Sequence, residues 1–183
     1  MIVIIGKTAS GKDTIVKKLC DENDFNKIIT YTTRPPRTNE INGKTYSFIS
    51  QEDFEYKIHN NFFAEYKSYN SEFGKWYYGT SEESILNSNN NSIIILTPQG
   101  YSDITKKYPN VNFKCIYLYA NNETIKKRLL SRGDNKEEAA RRIEHDNEDF
   151  KGVEELADKI VYNNYDYGLD DVIKKCLLAI GDK

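Results

Sequence analysis

Gly6-Lys7-Thr8-Ala9-Ser10-Gly11-Lys12 sets two glycines around a short curl and ends on a lysine. Glycine lets the backbone fold back on itself, so that successive N–H groups face one point, and that point suits an anion. The run follows the apolar Ile2-Val3-Ile4-Ile5 and opens a stretch, Lys12 to Cys20, that reads as a helix with Ile15, Val16 and Leu19 turned inward. Partial positive charge at the start of that helix adds to the N–H groups. Strand, loop and helix in this order are the context that a phosphate loop requires. Gly6, Lys7, Thr8, Ala9, Ser10, Gly11, Lys12, Asp13 and Thr14 are therefore the candidate phosphate cradle, with Lys12 reaching the outer phosphates. One letter departs from the pattern. The position after the lysine is normally Ser or Thr, a magnesium ligand, and here it is Asp13, followed by Thr14.

A second set of cations lies far along the chain. Arg128 and Arg132 are four apart on a predicted helix that stops at Gly133, so both project from one face. Arg142 follows on the next predicted helix, four residues after Glu138, with which it can also pair.

The 183 residues suit one domain with room for an insertion. Hydrophobic residues make up 38% and charged residues 30%, which argues against disorder. A net charge of −2 gives no basic excess for duplex nucleic acid or an anionic membrane, so any phosphate binding is local. Aliphatic runs such as Ile2 to Ile5 and Ile93 to Leu96 are far too short to span a bilayer. Met1 leads straight into the first of them without a basic leader, and Cys20, Cys115 and Cys176 form neither a disulfide framework nor a zinc set. The expectation is buried thiols and a cytoplasmic protein.

Apolar runs and breakers alternate in a strand-then-helix rhythm. Strands are predicted at Lys27 to Tyr31, Ser92 to Thr97, Phe113 to Tyr119 and Lys159 to Tyr162, and helices at Asn122 to Arg132, Lys136 to Glu148 and Gly168 to Ile180, with Gly181 as a stop. The fold class is α/β, three layers around a parallel sheet. Thr32 to Thr80 breaks the rhythm. Tyr46/Phe48, Phe62 to Tyr69 and Phe73 to Tyr78 read as half-exposed antiparallel strands of a small inserted lobe.

Within that lobe stand Thr32-Thr33-Arg34-Pro35-Pro36-Arg37, Glu40 through Phe48, Phe63-Ala64-Glu65 and Tyr77-Tyr78-Gly79-Thr80. Together with the phosphate loop, this order and spacing closely resembles guanylate kinase, a P-loop nucleoside monophosphate kinase family, over nearly the whole chain. The resemblance implies transfer of the γ-phosphoryl group of ATP to GMP, with Mg2+ accompanying ATP. It implies a core of 1–31, 81–120 and 149–183, a GMP-binding lobe of 32–80 and a lid of 121–148. Arg34, Arg37, Tyr46 and Tyr78 would hold the GMP phosphate, and charge-assisted arginine contacts suit that dianion. Glu65 would accept from guanine N1–H and the 2-amino group, Thr80 and Thr30 would serve O6, and Thr97 would lie near the amino group. Lys12, Arg128, Arg132 and Arg142 would neutralise charge on the transferring group. Thr14 would serve the metal, with Asp13 acting through its water shell.

The family usually carries aspartates where this chain has Ile95 and Thr97. Asp13 is a candidate replacement for the carboxylate lost at Ile95. A related kinase acting on another nucleotide or a ribose bisphosphate, and a non-catalytic binding domain of the same fold, stay open as alternatives. The expected partners are ATP and GMP, with no nucleic acid or membrane, as a monomer or homodimer.

Overall fold

A computed structural model describes residues 1–38, 40–71 and 74–181. The chain runs β1 (Ile2–Ile5), α1 (Lys12–Glu22), β2 (Asn26–Lys27), β3 (Tyr31–Thr32), β4 (Ser47–Phe48), α2 (Gln51–His59), β5 (Phe63–Ser71), β6 (Gly74–Ser81) and α3 (Glu82–Leu86). It continues through β7 (Ser92–Ile95), α4 (Pro98–Lys107), β8 (Lys114–Tyr119), α5 (Asn122–Ser131), α6 (Lys136–Asp149), a 3-10 turn (Val153–Glu155), β9 (Lys159–Tyr162) and α7 (Leu169–Gly181). Two compact units result: Met1–Lys27 with Asn91–Gln99 and Asn112–Lys183, and Ile28–Asn90 with Gly100–Val111.

The first unit is built on a parallel sheet in the order β2-β7-β1-β8-β9. Every residue of β1 is buried, as a central strand covered on both faces must be. Ile15, Val16 and Leu19 of α1 and Val172, Ile173, Cys176 and Ala179 of α7 form one core with Ile2, Ile4, Ile93 and Ile116 of the sheet. Each such aliphatic side chain contributes roughly 1.5–3 kcal/mol on burial. A smaller cluster joins Ala9 of the loop to Ile125 and Leu129 of α5 and Ala139 of α6. Both helices start on asparagine caps. Asn121 accepts from the Thr124 N–H and Asn135 from the Glu138 N–H, each at 2.8 Å. Strands β1, β7, β8 and β9 and helices α1, α5, α6 and α7 lie within a residue or two of the sequence expectation, and α7 runs through Gly181 rather than stopping before it.

The second unit carries the sheet β4-β3-β6-β5. β5 and β6 form the expected antiparallel hairpin, with an irregularity between Phe63 and Glu65. Phe73, assigned from sequence to one of the aromatic strands, lies outside the described residues. Two expectations need correcting. The predicted strand at Lys27 to Tyr31 is two short strands, β2 in the parallel sheet and β3 in the small one. Moreover, Tyr46/Phe48 does not join an antiparallel pairing: β4 runs parallel to β3. The long connection between them returns the chain to the same end, and Ser47 and Ile49 donate their N–H groups to the Thr30 and Thr32 carbonyls.

Helix α2, unread from the sequence, supplies the core of this unit. Ser50 caps it by accepting from the Asp53 N–H at 3.0 Å. Its Phe54 is fully buried, stacked on Phe63 with ring centroids 4.3 Å apart and on Tyr77 at 5.1 Å. Cys115 and Cys176 are buried free thiols, and Cys20 is half-buried. Among the described residues no helix is long and apolar enough to cross a membrane.

Removing the stacked ring leaves a cavity under the hairpin. Phe54→Ala is expected to destabilise the protein by about 3–5 kcal/mol in chemical denaturation, because aromatic truncation loses both transfer energy and packing.

Candidate active site

In the first unit the phosphate loop leaves the carboxyl end of β1, where open parallel sheets bind ligands. Gly11 is left-handed at φ 98°, and a Cβ there would lie 2.5 Å from Asn163 Nδ2. Gly6 is equally constrained, since a Cβ would lie 2.6 Å from Ser10 Oγ and 2.7 Å from the Leu118 carbonyl oxygen. The only residue type that fits either place is glycine.

The loop's carbonyl oxygens are held by named donors. Arg128 donates to Ala9 O at 3.3 Å and Ser10 O at 3.1 Å. Asn163 Nδ2 donates to Ser10 O at 2.7 Å, and its Oδ1 accepts from Arg128 at 3.4 Å. Lys12 Nζ curls back to Gly6 O and Lys7 O, at 2.7 and 2.8 Å. Burial pulls the Lys12 ammonium below the usual lysine range, the charges of Asp13 and Asp146 oppose that, and Arg132 reinforces it. Carbonyls held by these donors leave loop N–H groups for an anion, which is the electrostatic requirement for anion binding, except the Ser10 N–H, which donates to Lys7 O at 3.1 Å.

Asp146 of α6 accepts from the Thr8 N–H at 2.5 Å, and Lys7 Nζ donates to its neighbour Asn147 at 2.5 Å. Burial raises the Asp146 carboxyl above the ordinary aspartate value, against the stabilising Thr8 N–H and Lys12 charge. Asp13 is exposed and 3.8 Å from Lys27. Thr14 is exposed in the first turn of α1. Arg132 caps the C-terminus of α5. Arg142 is engaged by Glu138 at 2.6 Å and by Asp134 at 3.4 Å. Ile95 ends β7 against the main core, and Thr97 follows it in this same unit.

In the second unit Arg34 is 5% exposed, which for a guanidinium demands a partner. Glu40 supplies it, taking Arg34 NH2 on both carboxylate oxygens at 2.8 and 2.9 Å while accepting the Arg37 N–H at 2.7 Å. The Arg34 guanidinium also lies over the rings of Tyr46 and Phe48, 5.7 and 5.9 Å from their centroids. Burial alone would lower its pKa, but Glu40 and the Tyr78 hydroxyl more than offset that, and it ends above the usual arginine value. Tyr78 packs edge-on against Tyr46 at 6.2 Å. Two residues along β6, Thr80 lies opposite Glu65 of β5, and its hydroxyl donates to Glu65 Oε1 at 2.6 Å. Thr30 precedes β3, with its carbonyl taken by Ser47.

The loop residues Gly6 to Thr14 thus gather with Arg128 in one unit, while the other holds two sets, Arg34 with Tyr46 and Tyr78, and Glu65 with Thr80. Three contributors were not assigned from sequence. Glu40 lies three residues after Arg37, inside the motif itself. Asn163 lies at the carboxyl end of β9, a place where α/β sheets put ligand-handling groups. Asp146 has no local signal at all, because its partner is 138 residues away.

A parallel sheet with a phosphate loop at its carboxyl edge, plus a small sheet flanked by a buried arginine and carrying a half-buried glutamate, defines a P-loop nucleotide-binding α/β protein. A family profile described as guanylate kinase matches residues 1–180. The guanylate kinase of Clostridium tetani is 37% identical over 143 residues, covering 76% of this chain and 66% of the relative. That of Prochlorococcus marinus is 31% identical over 185 residues, covering 98% of this chain and 96% of the relative. The crystal structure of guanylate kinase from Anaplasma phagocytophilum shares the fold at a TM-score of 0.69 and 21% identity, over 98% of this chain and 83% of that one. The chain belongs to the guanylate kinase family.

Burial, followed by the charge of Asp103, pushes the Glu65 carboxyl up to about 7, although the Thr80 hydrogen bond works the other way. A carboxyl whose folded pKa exceeds its unfolded one holds a proton that the unfolded chain has released. Its stabilising contribution is therefore present at acid pH and is lost as the pH climbs from the ordinary glutamate range through about 7. Denaturation of wild type and Glu65→Gln across pH 4 to 8 should show wild type losing stability relative to the variant over that window, and a constant difference above it.

Proposed function

We propose that the protein transfers the γ-phosphoryl group of ATP to GMP, giving ADP and GDP. The observation that carries this reading is the Glu65–Thr80 pair across β5 and β6, with half-buried Glu65 against buried Thr80, in the same unit as the Arg34, Tyr46 and Tyr78 group. An ionised Glu65 accepts both guanine N1–H and the 2-amino group. Thr80 turns its proton from Glu65 to O6. Adenine would place an acceptor against the carboxylate and leave a buried charge unpaired, the kind of mismatch that such sites reject by roughly 10⁴ or more. The GMP phosphate is gripped by Arg34 and Arg37 with the two tyrosine hydroxyls, and Glu40 holds the Arg34 guanidinium.

On the donor side, ATP phosphates take N–H groups of the Gly6 to Thr14 loop, and Lys12 leaves the Gly6 and Lys7 carbonyls for them. Arg128, Arg132 and Arg142 offset charge on the transferring group, Arg128 from its place against the loop. The transfer requires exclusion of water, which would otherwise take the phosphoryl group.

Magnesium fits the donor set in a limited way. Among the described residues no group of three or more acidic, His or Cys side chains could hold a metal ion. Mg2+ bound with nucleotide needs only one or two protein ligands beside phosphates and water. The Thr14 hydroxyl and the Asp13 carboxylate, adjacent at the start of α1, would supply them. When bound, Mg2+ neutralises charge shared between the outer phosphates.

Ile95 and Thr97 favour one second reading, a phosphotransferase with a different acceptor. ADP release measured with GMP, dGMP, AMP and a ribose bisphosphate separates the two. GMP is expected to be strongly preferred, and Arg34→Ala to lower kcat/KM for GMP by about 10–100-fold, the worth of a hydrogen bond to a charged group. A preference for AMP or the sugar bisphosphate would overturn the guanine assignment of Glu65.

A further inference from the structure

Helix α6 approaches the phosphate loop with one face. Ala139 packs in the cluster that contains Ala9, with Ile143 against it, one helical turn on. A turn further along the same face, Asp146 takes the Thr8 N–H at 2.5 Å and Asn147 takes Lys7 Nζ at 2.5 Å. Apolar packing, a backbone hydrogen bond and a side-chain hydrogen bond thus converge on three successive loop residues, Lys7, Thr8 and Ala9. Only one of these contacts uses a group that a nucleotide needs. The Thr8 N–H belongs to the loop that cradles phosphate, and the group now on it is an anion.

We propose that Asp146 is an internal competitor for the nucleotide, a carboxylate that stands on the phosphate loop in place of a phosphate oxygen and has to be displaced when ATP or ADP binds. This rests on the loop being a nucleotide site. Two anions cannot share one N–H, and a carboxylate left beside a bound phosphate repels it in a half-buried setting where water screens poorly. Lys12 feels the same carboxylate, so the competition extends to the lysine that serves the outer phosphates. Binding a nucleotide therefore releases the Asp146 end of α6 from the loop. That helix also carries Arg142, so filling the loop and freeing the arginine-bearing helix are one event.

The test is ADP affinity by titration calorimetry, with and without magnesium, for wild type, Asp146→Ala and Asp146→Asn. Both variants should bind metal-free ADP tighter, Asp146→Ala by about tenfold, the order of one charge-assisted hydrogen bond. Equal or weaker binding by both overturns the proposal, and a loss confined to magnesium-containing buffer would show that Asp146 serves the metal instead. Hydrogen exchange at the Thr8 amide guards against a folding artefact. It should be slow in unliganded wild type and faster in Asp146→Ala, and identical rates would also overturn the proposal. If wild type binds ADP normally and the variants bind no tighter, this inference alone fails. If wild type binds no ADP, the nucleotide reading fails and takes this inference with it.

Discussion

The phosphate loop works only if its carbonyl oxygens are kept busy elsewhere. A peptide group that points its N–H into the curl must point its oxygen out, and a buried oxygen without a donor is costly. Arg128 and Asn163 meet that demand at Ala9 and Ser10, and the Ser10 N–H meets it at Lys7. Arg128 comes from α5 and Asn163 from the end of β9, so the loop's shape is imposed by elements more than a hundred residues away. The parallel sheet matters because it brings the ends of β1 and β9 to the same edge.

Both anion grips are satisfied internally. Glu40 pairs Arg34 in the small sheet's unit, and Asp146 takes the Thr8 N–H in the other. A buried guanidinium or an inward N–H group cannot wait unpartnered without a substantial desolvation penalty. The same pairings preorganise the sites, since the groups are already held where an anion will sit. The two partners differ in consequence. Glu40 engages Arg34 through NH2 and leaves the guanidinium's stacked position over Tyr46 and Phe48 intact. Asp146 takes a donor that the incoming phosphate would use.

Much of this was legible in the sequence, where local rules apply. The Gly6 to Lys12 spacing, the apolar run before it and the single stripe of α7 fix the parallel core, because backbone geometry and periodicity are properties of short segments. The arginine–proline segment, Glu65 and Thr80 were legible through their order along the chain. What escaped is non-local. α2 is short and offers only Phe54 and Ile58, one turn apart, as an apolar face, so its Ser50 cap was the other signal. The parallel pairing of β4 depends on how residues 33–46 return the chain. Arg128 was assigned to the transferring phosphoryl group, yet here it also braces loop carbonyls, a role that no spacing along the chain encodes.

Phosphate binding here depends on loop carbonyls being held by Arg128 and Asn163 so that amide groups are left for the anion. The most direct measurement is the ADP affinity of Asn163→Ala beside wild type, with the melting temperature recorded for both. Removing the 2.7 Å donor to Ser10 O should weaken ADP by about tenfold or more while the protein remains folded. Unchanged affinity in a folded variant would contradict the account, because the loop would then hold its shape without the bracing that the structure assigns to it.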